Sequence, residues 1–333
     1  MEFLEGWLNA SIWVGVVFII VGFVALVKGA DWLVDGASAI AKRFGISDLV
    51  IGLTVVAFGT SMPEFVVNMV SVASGSTDLA ITNCLGSNII NTFVILGLTA
   101  LVYPIASQRH CRDFDIPMSI IAGILVFAAV SVNSPFGESG RSISRLGGII
   151  LLVVFCIFLY ETFHHALKHP EEASGQTAVK PISTGRAISL IIVGLIGLVI
   201  GGELIVKSAV NIATRLGVSE AIIGLTIVAL GTSLPELATS VIAATKKNSD
   251  IAIGNVIGSN IFNVFFILGT SAVICPLPAY DGITIDAWMA TLGSVIVWLA
   301  LKMNDKRELK RWAGALLLVV YAGYLTFRLV HPY

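Results

Sequence analysis

Two short stretches carry the residues best suited to chemistry. Gly59-Thr60-Ser61-Met62-Pro63-Glu64 and Gly231-Thr232-Ser233-Leu234-Pro235-Glu236 each set a carboxylate and two hydroxyls inside an apolar run long enough to cross a bilayer. A carboxylate at that depth is costly, so it reads as functional. Thr60 and Glu64 lie four apart and share a helix face, as do Thr232 and Glu236. Pro63 and Pro235 lack an N–H, and their rings clash with the carbonyls of Gly59 and Gly231, so each helix is expected to kink or break there. The freed carbonyls around Ala57 and Ala229 would then face inward, which is tolerated only in a protein-lined cavity. A second polar set follows: Ser87 and Asn91 share a face four residues apart, and Ser259 and Asn263 repeat them. All these donors are oxygens, which suits hard cations such as Ca²⁺ or Na⁺ and not zinc or copper. Two carboxylates neutralise one divalent ion, which points to Ca²⁺.

The elements that hold these residues are apolar and numerous. The 333-residue chain is 56% hydrophobic and 12% charged. A soluble domain carries about 25% charged residues, so this is a polytopic membrane protein. Ten hydrophobic segments are expected, at about 12–43, 46–74, 79–104, 114–132, 146–168, 186–214, 218–245, 250–275, 284–302 and 309–330. A hydrocarbon core about 30 Å thick needs roughly 20 helical residues, and the first and sixth segments exceed that. The odd-numbered loops hold fourteen of the twenty Lys and Arg; the ends and even-numbered loops hold four. That bias puts the odd loops in the cytoplasm and both termini outside, extracellular or periplasmic, and supports an even number of spans.

Residues 45–97 align with 217–269 at a constant offset of 172, without a gap and with 26 identities. Many identities are polar, whereas a repeat kept only for packing would let polar residues drift. The chain is therefore a duplication. Each half has five spans, an odd number, so the copies enter the membrane in opposite directions, as in secondary carriers with a midplane site. The expected fold is an all-α membrane protein of ten transmembrane helices in two inverted five-helix repeats. Residues 1–168 form the first half, 169–185 a polar cytoplasmic linker, and 186–333 the second half.

Several features have simpler readings. Thr54, Thr226, Asn88 and Asn260 serve packing as readily as binding, and Asn83 and Asn255 read as structural. Asp78 and Asp250 read as helix caps. Asp31, Asp35, Glu203 and Lys207 read as ion-paired or reaching toward the interface. Cys84, Cys111, Cys156 and Cys275 have unrelated spacings and read as apolar fillers. Glu161, His165 and His169 share a helical face that could hold a metal, but the other half has no echo of them. Glu2 and Glu5 argue against a secretory signal. No basic cluster suits nucleic acid, no set of residues suits an intramembrane enzyme, and no obligate protein partner is evident.

Gly-Thr-Ser-x-Pro-Glu followed by Gly-Ser-Asn-Ile-x-Asn, in both halves, resembles the alpha-repeat signature of the sodium/calcium exchanger family. The resemblance is close over 53 residues per half, and the ten-span plan extends it to the whole chain. It implies an antiporter, without cofactor, that exchanges Na⁺ for Ca²⁺ by alternating access. The implied ion ligands are Thr60, Ser61, Glu64, Ser87 and Asn91, with Thr232, Ser233, Glu236, Ser259 and Asn263. Backbone carbonyls of Ala57 and Ala229 complete the implied set. The family also implies that the long first and sixth helices slide across the core. Asn263 stands where potassium-dependent relatives carry Asp, which argues against K⁺ co-transport. Gly59-Thr60 and Gly231-Thr232 favour the sodium branch over the proton/calcium branch. The alternatives are a proton/calcium or potassium-dependent exchanger and, more remotely, a cation channel.

Overall fold

The computed structural model describes residues 12–131, 141–169, 182–217, 229–303 and 306–330. Among these, eight helices are long and apolar enough to span a membrane. They are α1 (Ile12–Phe44), α4 (Thr77–Val102), α5 (Cys111–Ser131), α6 (Arg145–Lys168), α7 (Thr184–Arg215), α9 (Ser249–Ile274), α10 (Ile283–Lys302) and α11 (Arg311–Val330). A bent pair, α2 (Asp48–Thr60) and α3 (Met62–Ala73), makes a ninth when counted as one span. The shorter apolar α8 (Leu234–Thr245) follows the helical residues Ala229–Gly231. The first part of the expected seventh segment, including Thr226, lies outside the described residues.

The helices sort by burial. The central window of α9 is 94% buried and that of α4 is 72%, against 22% for α1 and 17% for α11. So α4 and α9, which carry the Ser/Asn sets, form the centre, while α1 and α11 turn apolar side chains such as Trp13, Val24 and Val319 outward. Expected lengths match to within a few residues because the apolar runs end at polar or Gly/Pro residues. The 172-residue offset recurs in the elements: Met62–Ala73 maps onto Leu234–Thr245, and the first helical part of α4, Thr77–Ile89, onto Ser249–Ile261.

α1 and α7 pack together along their length, antiparallel. A Cβ added at Gly29 would lie 2.7 Å from the Gly194 carbonyl oxygen, and one at Gly194 would lie 2.7 Å from that of Gly29. Gly22 and Gly201 make the same reciprocal approach. Without side chains at these positions the backbones meet directly, the usual device where lipid gives helices no hydrophobic reason to associate.

Two details depart from expectation. Two-residue strand pairs join loops: β1 (Ile105–Ala106) with β4 (Glu308–Leu309), and β2 (Ser142–Ile143) with β3 (Leu277–Pro278). They are too short to show an alternating pattern in sequence. Asp78 and Asp250 are not caps but first-turn acids; the cap positions are Ser76 and Asn248, and the Asn248 side chain accepts from the Ile251 N–H at 3.1 Å.

Candidate functional site

The break between α2 and α3 is a 46° bend. It sits at Ser61, with φ −85° and ψ 6°, and Pro63 opens the next helix. Ser233 repeats this geometry, with φ −87° and ψ 4° ahead of Pro235. A proline is tolerated in a first turn, where its missing N–H is not needed. Each bend puts its glutamate, Glu64 or Glu236, in the first turn of the following helix. That is where the helix dipole favours an anion.

Both glutamates are 1% exposed, and they occupy one site. The Ser61 hydroxyl, from the first repeat, donates to Glu236 Oε1 of the second at 2.9 Å. Ser259 donates to the same oxygen at 3.4 Å, and Ser87 donates to Glu64 Oε1 at 3.4 Å. The Thr232 side chain lies beside the Glu64 carboxylate and that of Thr60 beside Glu236. Asn91 and Asn263 fall in π-helical turns, Ile90–Ile95 and Phe262–Leu268, and are buried. Such turns add a residue to the helical circuit and recur at functional sites. Ala57 is fully buried; its carbonyl accepts the Ser61 N–H at 3.0 Å and the Thr60 hydroxyl at 3.3 Å, so it is engaged and not freed by the break. Ala229 lies in the helical stretch Ala229–Gly231 ahead of Ser233.

The site is rich in acceptors and short of donors. Glu64 Oε2, Glu236 Oε2, Asn91 Oδ1, Asn263 Oδ1 and Ser233 Oγ are buried and have no hydrogen-bond partner among the described residues. A buried acceptor without a donor costs about 1–3 kcal/mol, more if charged. Five oxygens in that condition, two of them on carboxylates, suit a hard cation. A cavity of about 390 Å³ between α3, α7 and α8 reaches Thr232 and Pro235 from one side.

A supporting layer holds these groups, in keeping with the structural reading of Asn83 and Asn255. Asn83 Nδ2 donates to the Glu64 backbone carbonyl at 3.3 Å and Asn255 Nδ2 to that of Glu236 at 3.2 Å. Asn255 Oδ1 also accepts from the Thr60 hydroxyl at 3.0 Å, so it positions a candidate ligand of the other repeat. Asn88 donates to the Asn260 carbonyl at 3.0 Å and Asn260 donates to Thr92 at 2.7 Å, tying α4 to α9. Thr54 donates to the Val50 carbonyl at 2.6 Å and serves its own helix. The available signal was the identity of these polar residues in both copies.

Asp31, Asp35, Glu203 and Lys207 are ion-paired, as their simpler reading expected. Lys207 pairs with Glu203 at 2.7 Å, and Lys246 with Asp31 and Asp35. The four cysteines are free. The His165 ring stacks 3.8 Å from that of His110. Among the described residues, no group of three or more His, Cys, Asp or Glu is arranged to hold a metal ion.

Buried carboxylates among oxygen donors, in a bundle of membrane-length helices entered by a cavity, define an ion carrier. The chain matches the family model "Sodium/calcium exchanger protein" over residues 14–163 and 186–330. It is 37% identical over 320 residues to a putative antiporter, CaxA, of Alkalimonas amylolytica, covering 93% of this chain and 97% of that one. It is 30% identical to the sodium/calcium exchanger MaX1 of Methanosarcina acetivorans, covering 94% and 97%. A solved structure of the sodium-calcium exchanger NCX_Mj superimposes with a TM-score of 0.79 at 31% identity, covering 96% of this chain and 98% of that one. The chain belongs to the sodium/calcium exchanger family of multi-pass membrane antiporters.

Proposed function

We propose that this chain exchanges Na⁺ for Ca²⁺ across the cell membrane by alternating access at one mid-membrane site. The observation that carries this reading is the set of five buried, undonated oxygens, two of them on the carboxylates, with Ser61 of the first repeat donating to Glu236 of the second. The proposed ligands are Thr60, Ser61, Glu64, Ser87, Asn91, Thr232, Ser233, Glu236, Ser259 and Asn263. The carbonyls of Ala57 and Ala229 join them, that of Ala57 once the Thr60 hydroxyl, now 3.3 Å from it, turns to the ion. Two carboxylates balance one Ca²⁺ or two Na⁺, and competition for them keeps the loads from riding together. A third Na⁺ makes the exchange electrogenic.

The full plan is ten spans in two inverted halves, 1–168 and 186–333. Support for inversion comes from the α1–α7 contact: the 172-residue offset exchanges the pairs Gly22–Gly201 and Gly29–Gly194, as a two-fold axis requires. These two helices slide as a unit over the core. The loop charges favour both termini outside the cytoplasm.

The test is Ca²⁺ uptake into vesicles containing the purified protein, with Na⁺, K⁺ and H⁺ gradients imposed separately. Uptake driven by Na⁺ alone is expected, with a dependence on membrane potential. Uptake driven by a pH gradient without Na⁺ would establish the proton/calcium reading instead, and a K⁺ requirement the potassium-dependent one. Flux without a counter-ion would mean a channel.

A further inference from the structure

The two long helices α1 and α7 carry charge at equivalent places, but the two ends of the molecule use it differently. Lys246, the residue after α8, sits between two acids of α1: its Nζ is 2.7 Å from Asp31 Oδ1 and 2.6 Å from Asp35 Oδ1. It also donates to the Asp31 backbone carbonyl at 3.0 Å. Lys246 lies ten residues beyond Glu236, about 15 Å along the helix. The clamp therefore fastens a peripheral helix to the far end of the helix that bears a site carboxylate. It lies on the face of the odd-numbered loops, opposite the cavity that reaches Thr232.

The 172-residue offset carries Asp31 to Glu203, Asp35 to Lys207 and Lys246 to Ser74. At the other end, then, the α7 positions hold one acid and one base, which pair with each other at 2.7 Å. The position equivalent to Lys246 is an uncharged serine that donates to the Ser71 carbonyl. When α1 and α7 slide, the clamp on Lys246 must break, because ion pairs of 2.6–2.7 Å do not survive displacement on the scale of a helical turn. The equivalent clamp cannot form at the other end, since Ser74 has no charge to offer.

We propose that Asp31, Asp35 and Lys246 form a one-sided latch that holds the odd-loop face closed and weights the carrier toward the state open to the opposite face. The proposal rests on the sliding of α1 and α7 given above, not on the identity of the cargo. The latch thereby sets an asymmetry between the two faces: an ion approaching the latched face meets a binding-competent state only in the fraction of molecules whose latch is open, and its apparent affinity is reduced by that fraction.

The test uses the whole protein in sealed vesicles. Val66, which lines the cavity and is 53% exposed, is replaced by Cys and labelled with a membrane-impermeant maleimide from the cavity side. The same protein without that Cys supplies the baseline. Each partly exposed ion pair is worth little, so opening both should lower the ratio of cavity-open to cavity-closed molecules about 2- to 30-fold, and labelling should slow by up to that factor. Lys246→Gln and the milder Asp35→Asn, whose parent side chain is half-exposed, should both slow it, the first more than the second. Lys246→Arg should restore the parent rate. The same variants should raise apparent Ca²⁺ affinity from the latched face. Labelling and latched-face Ca²⁺ affinity both unchanged in Lys246→Gln and Asp35→Asn would overturn the latch even if Na⁺-driven Ca²⁺ exchange were intact. Slowed labelling in a protein that moves no Ca²⁺ would support the latch and overturn the cargo reading.

Discussion

Glu64→Gln keeps the shape of the side chain and removes one of two buried charges. Glu64 is 1% exposed, and its Oε2 has no donor among the described residues. Removing one partner of a buried charge pair costs about 3–5 kcal/mol. With Ca²⁺ as the other partner, binding should weaken by roughly two to three and a half decades. The effect on the ion-free protein runs the other way. Two carboxylates enclosed in one site repel, so the variant without Ca²⁺ should unfold at the parent's temperature or above it. Thermal unfolding in detergent reads both effects. At a Ca²⁺ concentration 100 times its dissociation constant, the parent gains about 2.7 kcal/mol. At the same concentration the variant, binding at least 100-fold more weakly, gains less than about 0.5 kcal/mol. Vesicle exchange should fall to background in the same variant. Undiminished Ca²⁺-dependent stabilisation, or exchange at the parent rate, would refute the role of Glu64; Glu236→Gln faces the same test.

Asn255→Ala removes three hydrogen bonds, to Thr60, Glu236 and Ser240. It should lower stability by about 2–4 kcal/mol and weaken Ca²⁺ binding at least about tenfold through Thr60; unchanged affinity measured by calorimetry would leave it a purely structural role. Gly29→Ala puts a methyl 2.7 Å from the Gly194 carbonyl oxygen, closer than carbon and oxygen sit in contact. It should cost about 1–3 kcal/mol in thermal unfolding, and Gly194→Ala should cost the same. Burial, with help from His165 and His169, holds the His110 imidazole down to about 4 against Asp113 and the Asp115 carboxylate 3.7 Å away. The unfolded chain therefore binds the extra proton first, and stability should fall by up to about 3 kcal/mol as pH drops from about 6.5 to 4; His110→Asn should remove that part of the acid loss, read by unfolding at pH 7 and pH 5.

The sequence by itself determined the class of molecule and marked the residues of the candidate site. Apolar run lengths defined the spans because a bilayer of fixed thickness demands them. Glu64 and Glu236 stood out because ionised groups are costly at that depth, and the constant offset between polar identities exposed the duplication. Only the tertiary structure decided which side chain reaches which. Ser61 donates across to the glutamate of the other repeat, Asn255 holds Thr60, and Lys246 lies between two acids more than two hundred positions earlier. Local pattern reports the face of a helix on which a residue sits. Which helix end faces which partner is settled by packing between segments distant in the chain, and no spacing rule within a segment encodes that.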